Sequence, residues 1–117
     1  MCARRTAVLA TATGLIFALS GCTSPARTGS SFCAQLGREL PAIGQPMGTG
    51  TDVTAMVDRY ERLLKRAPLS IEGDFAILTG LLQEASKVNP SDEEALQAMA
   101  DATYAANQSA LNVRDWV

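Results

Sequence analysis

The side chains with the clearest chemical task lie at residues 19–22, where Leu19, Ser20 and Gly21 precede Cys22. Small residues before the bond to be cut are what a signal peptidase requires. The residue after the predicted cut is a cysteine, so cleavage would leave the Cys22 thiol on the first residue of the mature chain. The small residues therefore predict a peptidase site near Gly21.

The residues before this site have the composition of a signal peptide. Arg4 and Arg5 lie in a short N-terminal stretch without an acid, which predicts that this end stays on the cytoplasmic side during insertion. Residues 6–19, roughly 14 positions, are almost entirely small or apolar. Because a membrane-spanning helix needs about 20 such residues, a cleaved signal is favoured over a retained anchor. The pair Arg4-Arg5 is a poor match to a twin-arginine signal, which favours the general secretory route.

The four residues that end at Cys22 resemble the lipobox of bacterial lipoproteins, which has a branched apolar residue, two small residues and then cysteine. The resemblance implies that Leu19, Ser20 and Gly21 are the recognition residues and that cleavage between Gly21 and Cys22 removes residues 1–21. It also implies that a diacylglyceryl group is attached to the Cys22 thiol. Two or three acyl chains anchor a protein stably, because each buried methylene contributes about 0.8 kcal/mol. We therefore expect the protein at the cell membrane, lipid-anchored on the extracytoplasmic face. The open alternative is a secreted protein in which Cys22 is a plain thiol.

The charge and composition of the remaining chain limit the kinds of partner that it can have. Removing Arg4 and Arg5 leaves eight of the ten basic residues against twelve acidic ones, a net charge near −4. Mild acidity without a basic cluster argues against a nucleic-acid partner and against electrostatic adhesion to anionic lipid head groups. Residues 22–30 are small and polar, which predicts a flexible tether after the lipidated Cys22. Residues 31–117 suffice for one small domain.

Hydrophobic periodicity predicts helices throughout this domain, and no strand pattern competes with it. The predicted apolar stripes, which should face the core, include Phe32 and Leu40 in the first helix, Tyr60 and Leu64 in the second, with Arg62 on its polar side, and Phe75 in the third. The predicted helices span residues 31–40, 51–67, 71–88 and 92–117, with prolines at positions 41, 68 and 90 between them. Ser70 is the expected cap of the third helix, and Ser91 and Glu94 form a predicted capping box at the start of the fourth. The last helix continues towards Val117 without a stop signal. We therefore predict an all-α bundle of three or four helices.

The chemistry-bearing residues of this domain do not form a catalytic set. The chain has no histidine, which removes Cys-His catalysis, Ser-His-Asp triads and histidine-containing metal sites. The acids are explained by helix capping and by an i,i+4 pair between Asp58 and Arg62. We predict no catalytic residue, no metal and no cofactor except the covalent diacylglycerol on Cys22. Cys33 is interpreted as a structural thiol, and pairing between two chains stays open.

From Phe32-Cys33 onward the chain is similar to small uncharacterised actinobacterial lipoproteins or secreted proteins. These have Phe-Cys near the start of a helical domain, Ala-Pro before a helix and a second cysteine at the far end. Ala67-Pro68 matches the pattern, but no cysteine follows Val117. The resemblance implies that a bridge from Cys33 to such a cysteine would close a loop of more than 80 residues, worth about 4 kcal/mol in the chain-entropy model.

These observations predict a non-catalytic, lipid-anchored binding module. Its partner would be an envelope protein or a small apolar ligand, held by the bundle grooves and the loop at residues 41–51. Two alternatives remain, an envelope enzyme that uses carboxylates or serines, and a structural or antigenic surface spacer. Acids that converge in a pocket from separate helices would favour the enzyme, and the sequence does not indicate an oligomeric state.

Overall fold

The computed structural model describes Cys2 and residues 24–117. These residues contain no strand and form five helices: α1 (Gly29–Ile43), α2 (Gly50–Leu64), α3 (Leu69–Ala85), α4 (Glu93–Ala105) and α5 (Asn107–Trp116). The all-α prediction is confirmed, whereas the predicted number of three or four helices is wrong. The predictions for the signal peptide, the peptidase site and Cys22 lie outside the described residues.

The core lies where α1, α2, α3 and α5 meet. Phe32 and Leu63 are completely enclosed, and the buried cluster around them contains Ala67, Ile71 and Phe75. The Phe32 ring meets the Phe75 and Trp116 rings edge to face, with centroids 5.5 and 5.6 Å apart, while Tyr60 stacks on Phe75 at 5.3 Å. Edge-to-face and offset aromatic pairs stabilise a core beyond the area that they bury.

Helix α1 continues past Pro41, where the sequence predicted its end. Proline removes one backbone donor, and its ring crowds the carbonyl four residues earlier, which here belongs to Gly37. The extra turn ends with the Gly44 amide donating to the Leu40 carbonyl. It brings Ile43 against the core and leaves Leu40, a predicted core residue, 53% exposed.

Two predicted helix caps are wrong. Helix α3 follows Pro68 directly, without a side-chain cap, so Ser70 lies inside the helix. Helix α4 is capped by Asp92, whose carboxylate accepts the Ala95 amide at 3.1 Å. Because the chain becomes helical only at Glu93, Asp92 occupies the capping position that the sequence assigned to Ser91.

The predicted fourth helix divides at Ala106, which explains the higher helix count. The backbone of Ala106 has φ −79° and ψ −6°, between the last residue of α4 and the first residue of α5. Beyond this point α5 packs on α3, burying Ser109 and placing Val113 and Trp116 against the core. Tertiary packing therefore produces a bend at a position that has neither proline nor glycine.

The segment before α1 is held against the body. The Arg27 Nε donates to the Ala67 carbonyl at 3.1 Å, and its Nη2 lies 2.5 Å from a Glu72 carboxylate oxygen. Thr28 caps α1 by accepting the Ser31 amide, so the helix begins at Gly29, two residues before the predicted domain boundary at 31.

Candidate functional site

Cys33, the predicted structural thiol, lies half-buried on α1 and forms a disulfide with Cys2. The two Cα atoms are 5.7 Å apart, and the Cys2 amide donates to the Val117 carbonyl at 3.3 Å. Cys33 can therefore pair with a second cysteine at the surface of the domain, and that cysteine lies next to residue 117. Cleavage before Cys22 would by itself leave residues 1–21 attached through this disulfide, so the predicted mature lipoprotein requires a chain in which Cys33 is not bonded to Cys2.

A buried carboxylate that the sequence analysis did not single out joins α1 to α2. Glu39 has a side chain that is 10% exposed, and it accepts hydrogen bonds from Arg62 Nε at 2.8 Å and Arg62 Nη2 at 3.1 Å. Gln35 donates a third at 2.7 Å, and Arg59 Nε lies 3.6 Å away. The Arg62 hydrogen bonds hold the pKa of Glu39 below its ordinary value of 4.5. Arg62 thus makes its hydrogen bonds with Glu39, and the predicted partner Asp58 contributes a weaker Coulombic attraction.

The acidic side chains at the starts of the helices accept hydrogen bonds from backbone amides. Asp52 accepts the Gly48 and Thr49 amides and the Thr49 hydroxyl, which completes a capping box in the first turn of α2. The Thr49 side chain is the main reason why the pKa of Asp52 is lowered from 3.8. Asp92 is itself the N-cap of α4, where its carboxylate accepts the Ala95 amide. These carboxylates are committed to caps, and Glu39 is committed to an ion pair.

Two smaller cavities border α1 and α2. One of about 230 Å³ opens at the surface of the bundle and is lined mostly by apolar residues that include Leu36, Tyr60 and Val113. The other, of about 150 Å³, lies under the loop between α1 and α2, where Met47 is 50% exposed. The loop is shorter than predicted, because α1 ends at Ile43 and α2 begins at Gly50. Neither cavity approaches the size of the space beside α4.

Small side chains on α4 create an open groove against α3. Ala95, Ala98, Ala102 and Ala105 recur at spacings of three and four, which aligns them on one face of the helix. Alanine permits close approach but fills little space, and no residue of α4 is buried. Opposite them, α3 presents Gly80, where an added Cβ would meet nothing within 4 Å. Two helices are thus adjacent with a space left between them.

This space, which we call the α3–α4 groove, consists of two adjoining cavities that share Glu84 and Ala102. One has a volume of about 480 Å³ and the other about 420 Å³. Their apolar lining includes Ile77, Leu81, Val88 and Met99. Ile77 is 53% exposed, and Leu96 on the neighbouring surface of α4 is 45% exposed. Cavities of this volume with a mostly apolar lining are typical of binding sites.

The charges around the groove are predominantly negative. Residues 69–117 carry eight acidic and two basic side chains, whereas residues 24–68 carry four acidic and six basic ones. Glu84 and Asp92 lie at the groove itself, with Lys87 bonded to Glu84 at 2.9 Å. The groove is therefore apolar within and acidic around its edge.

Among the described residues, no helix has the length and apolar character needed to cross a membrane. The same part of the chain contains no cluster of three or more acidic, cysteine or histidine side chains arranged to hold a metal ion. Comparisons with protein-family models, curated proteins and solved structures found no match to this chain.

Proposed function

We propose that this protein is a non-catalytic binding module, anchored through a lipid on Cys22 at the extracytoplasmic face of the membrane, that holds a partner protein in the α3–α4 groove. The observation that carries the proposal is α4 itself. Its 13 residues include none that is buried, although Leu96, Met99 and the alanines give it an apolar side. An amphipathic helix needs a partner surface for that side.

The occupant that fits the groove best is a basic amphipathic helix of an envelope protein. A groove between two helices accepts the apolar face of a third helix. The residues at i, i+3, i+4 and i+7 of that third helix contact the groove. The excess of acids over bases in residues 69–117 complements lysine and arginine on the polar face of that helix. Complementary charge would also raise the rate of encounter and select against acidic partners.

The placement of the acids supports a binding role over an enzymatic one. Asp52 and Asp92 cap helices, and Glu39 is bonded to Arg62. At the groove, Glu84 pairs with Lys87, and the lining is otherwise mostly apolar. A general acid or base needs a carboxylate within reach of substrate, and these carboxylates are already engaged.

A synthetic amphipathic helix tests the groove. The probe carries leucines at i, i+3, i+4 and i+7 with lysines elsewhere, and a second probe has glutamate in place of lysine. Fluorescence anisotropy with the mature protein measures the dissociation constant of each. We expect the lysine probe to bind, more weakly as salt is added, and the glutamate probe not to bind.

Two glycine variants locate the binding. Gly80→Leu fills the groove, whereas Gly73→Leu places the same side chain in open space on α3 about two turns away. Leucine is a better helix former than glycine, so both variants keep α3. We expect Gly80→Leu to raise the dissociation constant of the lysine probe by about tenfold or more, which corresponds to at least about 1.4 kcal/mol. Gly73→Leu should leave that dissociation constant unchanged. Equal binding by the two variants would place the probe elsewhere.

A further inference from the structure

The N-terminal segment reaches the body at the turn between α2 and α3. Arg27 fixes it there through the Ala67 carbonyl and the Glu72 carboxylate. Ser24 and Pro25 line a surface cavity of about 490 Å³ together with Leu64 and Lys65. The chain therefore approaches the domain along residues 64–69, which we call the α2–α3 corner.

The distance along the chain from this corner to Cys22 is short. Cys22 precedes Ser24 by two residues, and two residues extend to at most about 7 Å. A lipid on Cys22 would hold Ser24 within that distance of the modified residue. Because Ser24 and Lys65 border the same cavity, the α2–α3 corner would lie next to the membrane surface.

The side chains at this corner suit a lipid surface. Leu69 is 79% exposed at the first position of α3. Lys65 is exposed beside it along the chain, and Arg66 is half-buried, donating to the Ser31 hydroxyl at 3.0 Å. The two nearest acids in sequence are engaged, since Glu61 accepts a hydrogen bond from Gln83 and Glu72 is paired with Arg27. An exposed apolar residue among cations is favoured at the boundary of a bilayer that contains anionic lipid.

We infer that the α2–α3 corner rests on an anionic phospholipid surface, with Leu69 in the head-group layer and Lys65 and Arg66 beside lipid phosphates. The inference rests on the proposed acylation of Cys22 and adds an orientation to it. The net charge of −4 predicted no such adhesion, but the basic excess lies in residues 24–68 and the acidic excess in residues 69–117. Gly80 in the groove lies 11 residues from Leu69, about 16 Å along α3.

Lipid-embedded quenchers measure this orientation. The lipidated protein, with Cys33→Ala, is placed in vesicles of phosphatidylglycerol and phosphatidylcholine and labelled with a fluorophore at Leu69→Cys or Tyr104→Cys. Tyr104, on α4, is the matched position because it is 86% exposed. We expect quenching to be several-fold stronger at position 69. We also expect it to fall when phosphatidylglycerol is omitted or when Lys65→Glu is added, whereas Met47→Glu, in the loop between α1 and α2, leaves it unchanged.

The outcomes separate this inference from the anchor. The intact mass of the same sample reports whether Cys22 carries acyl chains. Equal quenching at positions 69 and 104 in an acylated protein would overturn the orientation and leave the anchor in place. A mass without acyl chains would overturn the anchor and the orientation together.

Discussion

At the scale of residues, Glu39 organises the polar contact between α1 and α2. Its carboxylate is almost enclosed, yet its pKa is lowered, because the hydrogen bonds from Arg62 outweigh the opposing effect of burial. A buried charge persists when its hydrogen bonds are made by an opposite charge. The ionised Glu39 carboxylate therefore holds α1 and α2 together.

We expect the free energy of unfolding to fall as the pH drops below about 4.5, the ordinary pKa of a glutamate such as Glu39. The unfolded chain takes up the proton first, because the folded-state pKa lies lower. The stabilisation is complete above the unfolded-state pKa and is lost as the pH falls through the folded-state value. Asp52, whose pKa is also lowered, acts in the same direction. Urea unfolding at a series of pH values measures the decline.

Glu39→Gln should flatten part of this decline, since it removes the titrating group and leaves Asp52. Glu94→Gln is the control, because Glu94 is exposed on α4. The same pH dependence in both variants and in the unaltered protein would contradict the role assigned to Glu39.

Leu63 and Leu69 are the same residue type but differ in burial, so substituting each one tests how burial affects stability. Leu63 is 1% exposed in the core, whereas Leu69 is 79% exposed. Leu63→Ala should lower the free energy of unfolding by about 2 to 5 kcal/mol, because it removes buried contacts and leaves a cavity. Leu69→Ala should change it by less than about 0.5 kcal/mol. Denaturant unfolding measures both, and similar losses would contradict the packing described for the α2–α3 corner.

Individual residues were predictable where periodicity places them on one face. Phe32 and Phe75 belong to predicted apolar stripes and form the core. Leu63 falls beside the predicted stripe of its helix but is enclosed. Arg62 was assigned to the wet face, yet its long side chain reaches back to Glu39. The reach of an arginine depends on the neighbouring helix, which a one-dimensional pattern does not contain.

At the scale of elements, local signals located the helices better than their ends. Thr49 and Asp52 build a capping box one turn ahead of the apolar positions, which moves the start of α2 to Gly50. Pro41 was predicted to end α1, but the helix continues to Ile43. The bend at Ala106 has no local signal, because it arises from the packing of α5 on α3.

The cap of α4 can be tested directly. Asp92→Ala should lower the free energy of unfolding by about 0.5 to 2 kcal/mol, since the Ala95 amide loses its acceptor. Ser91→Ala should have little effect, because Asp92 rather than Ser91 accepts that amide. Hydrogen exchange at the Ala95 amide reports the local change, and a larger effect from Ser91→Ala would restore the capping box predicted from the sequence.

Only part of the α3–α4 groove could be predicted from the sequence. The spacing of Ala95, Ala98, Ala102 and Ala105 indicates a helix face that permits close approach. It does not indicate whether a neighbour fills the face or leaves it open. That depends on the bend at Ala106 and on Gly80 opposite, so the groove became visible only in three dimensions.

At the scale of the whole molecule, charge and binding surfaces are distributed along an elongated body of 62 × 30 × 24 Å. The α2–α3 corner lies at the start of α3, and the groove lies towards its end. In the proposed arrangement the corner rests on lipid while the acidic groove is presented to a basic helix. A single helix, α3, would set the separation between anchor and partner.

The state of Cys33 depends on the same processing step. In the full chain it is bonded to Cys2, whereas a mature chain of residues 22–117 does not contain Cys2. The proposed mature protein would therefore carry Cys33 without this disulfide. Lipid anchoring and the Cys2–Cys33 bridge predict different covalent molecules.

The intact mass of the protein extracted from membranes tests the central claim most directly. The account predicts residues 22–117 plus a diacylglyceryl group, with or without a third acyl chain. A mass of residues 1–117 less two hydrogens would instead show the retained N-terminus and the Cys2–Cys33 disulfide. That result, or an unlipidated chain that begins elsewhere, would contradict the anchor on which the proposed function depends.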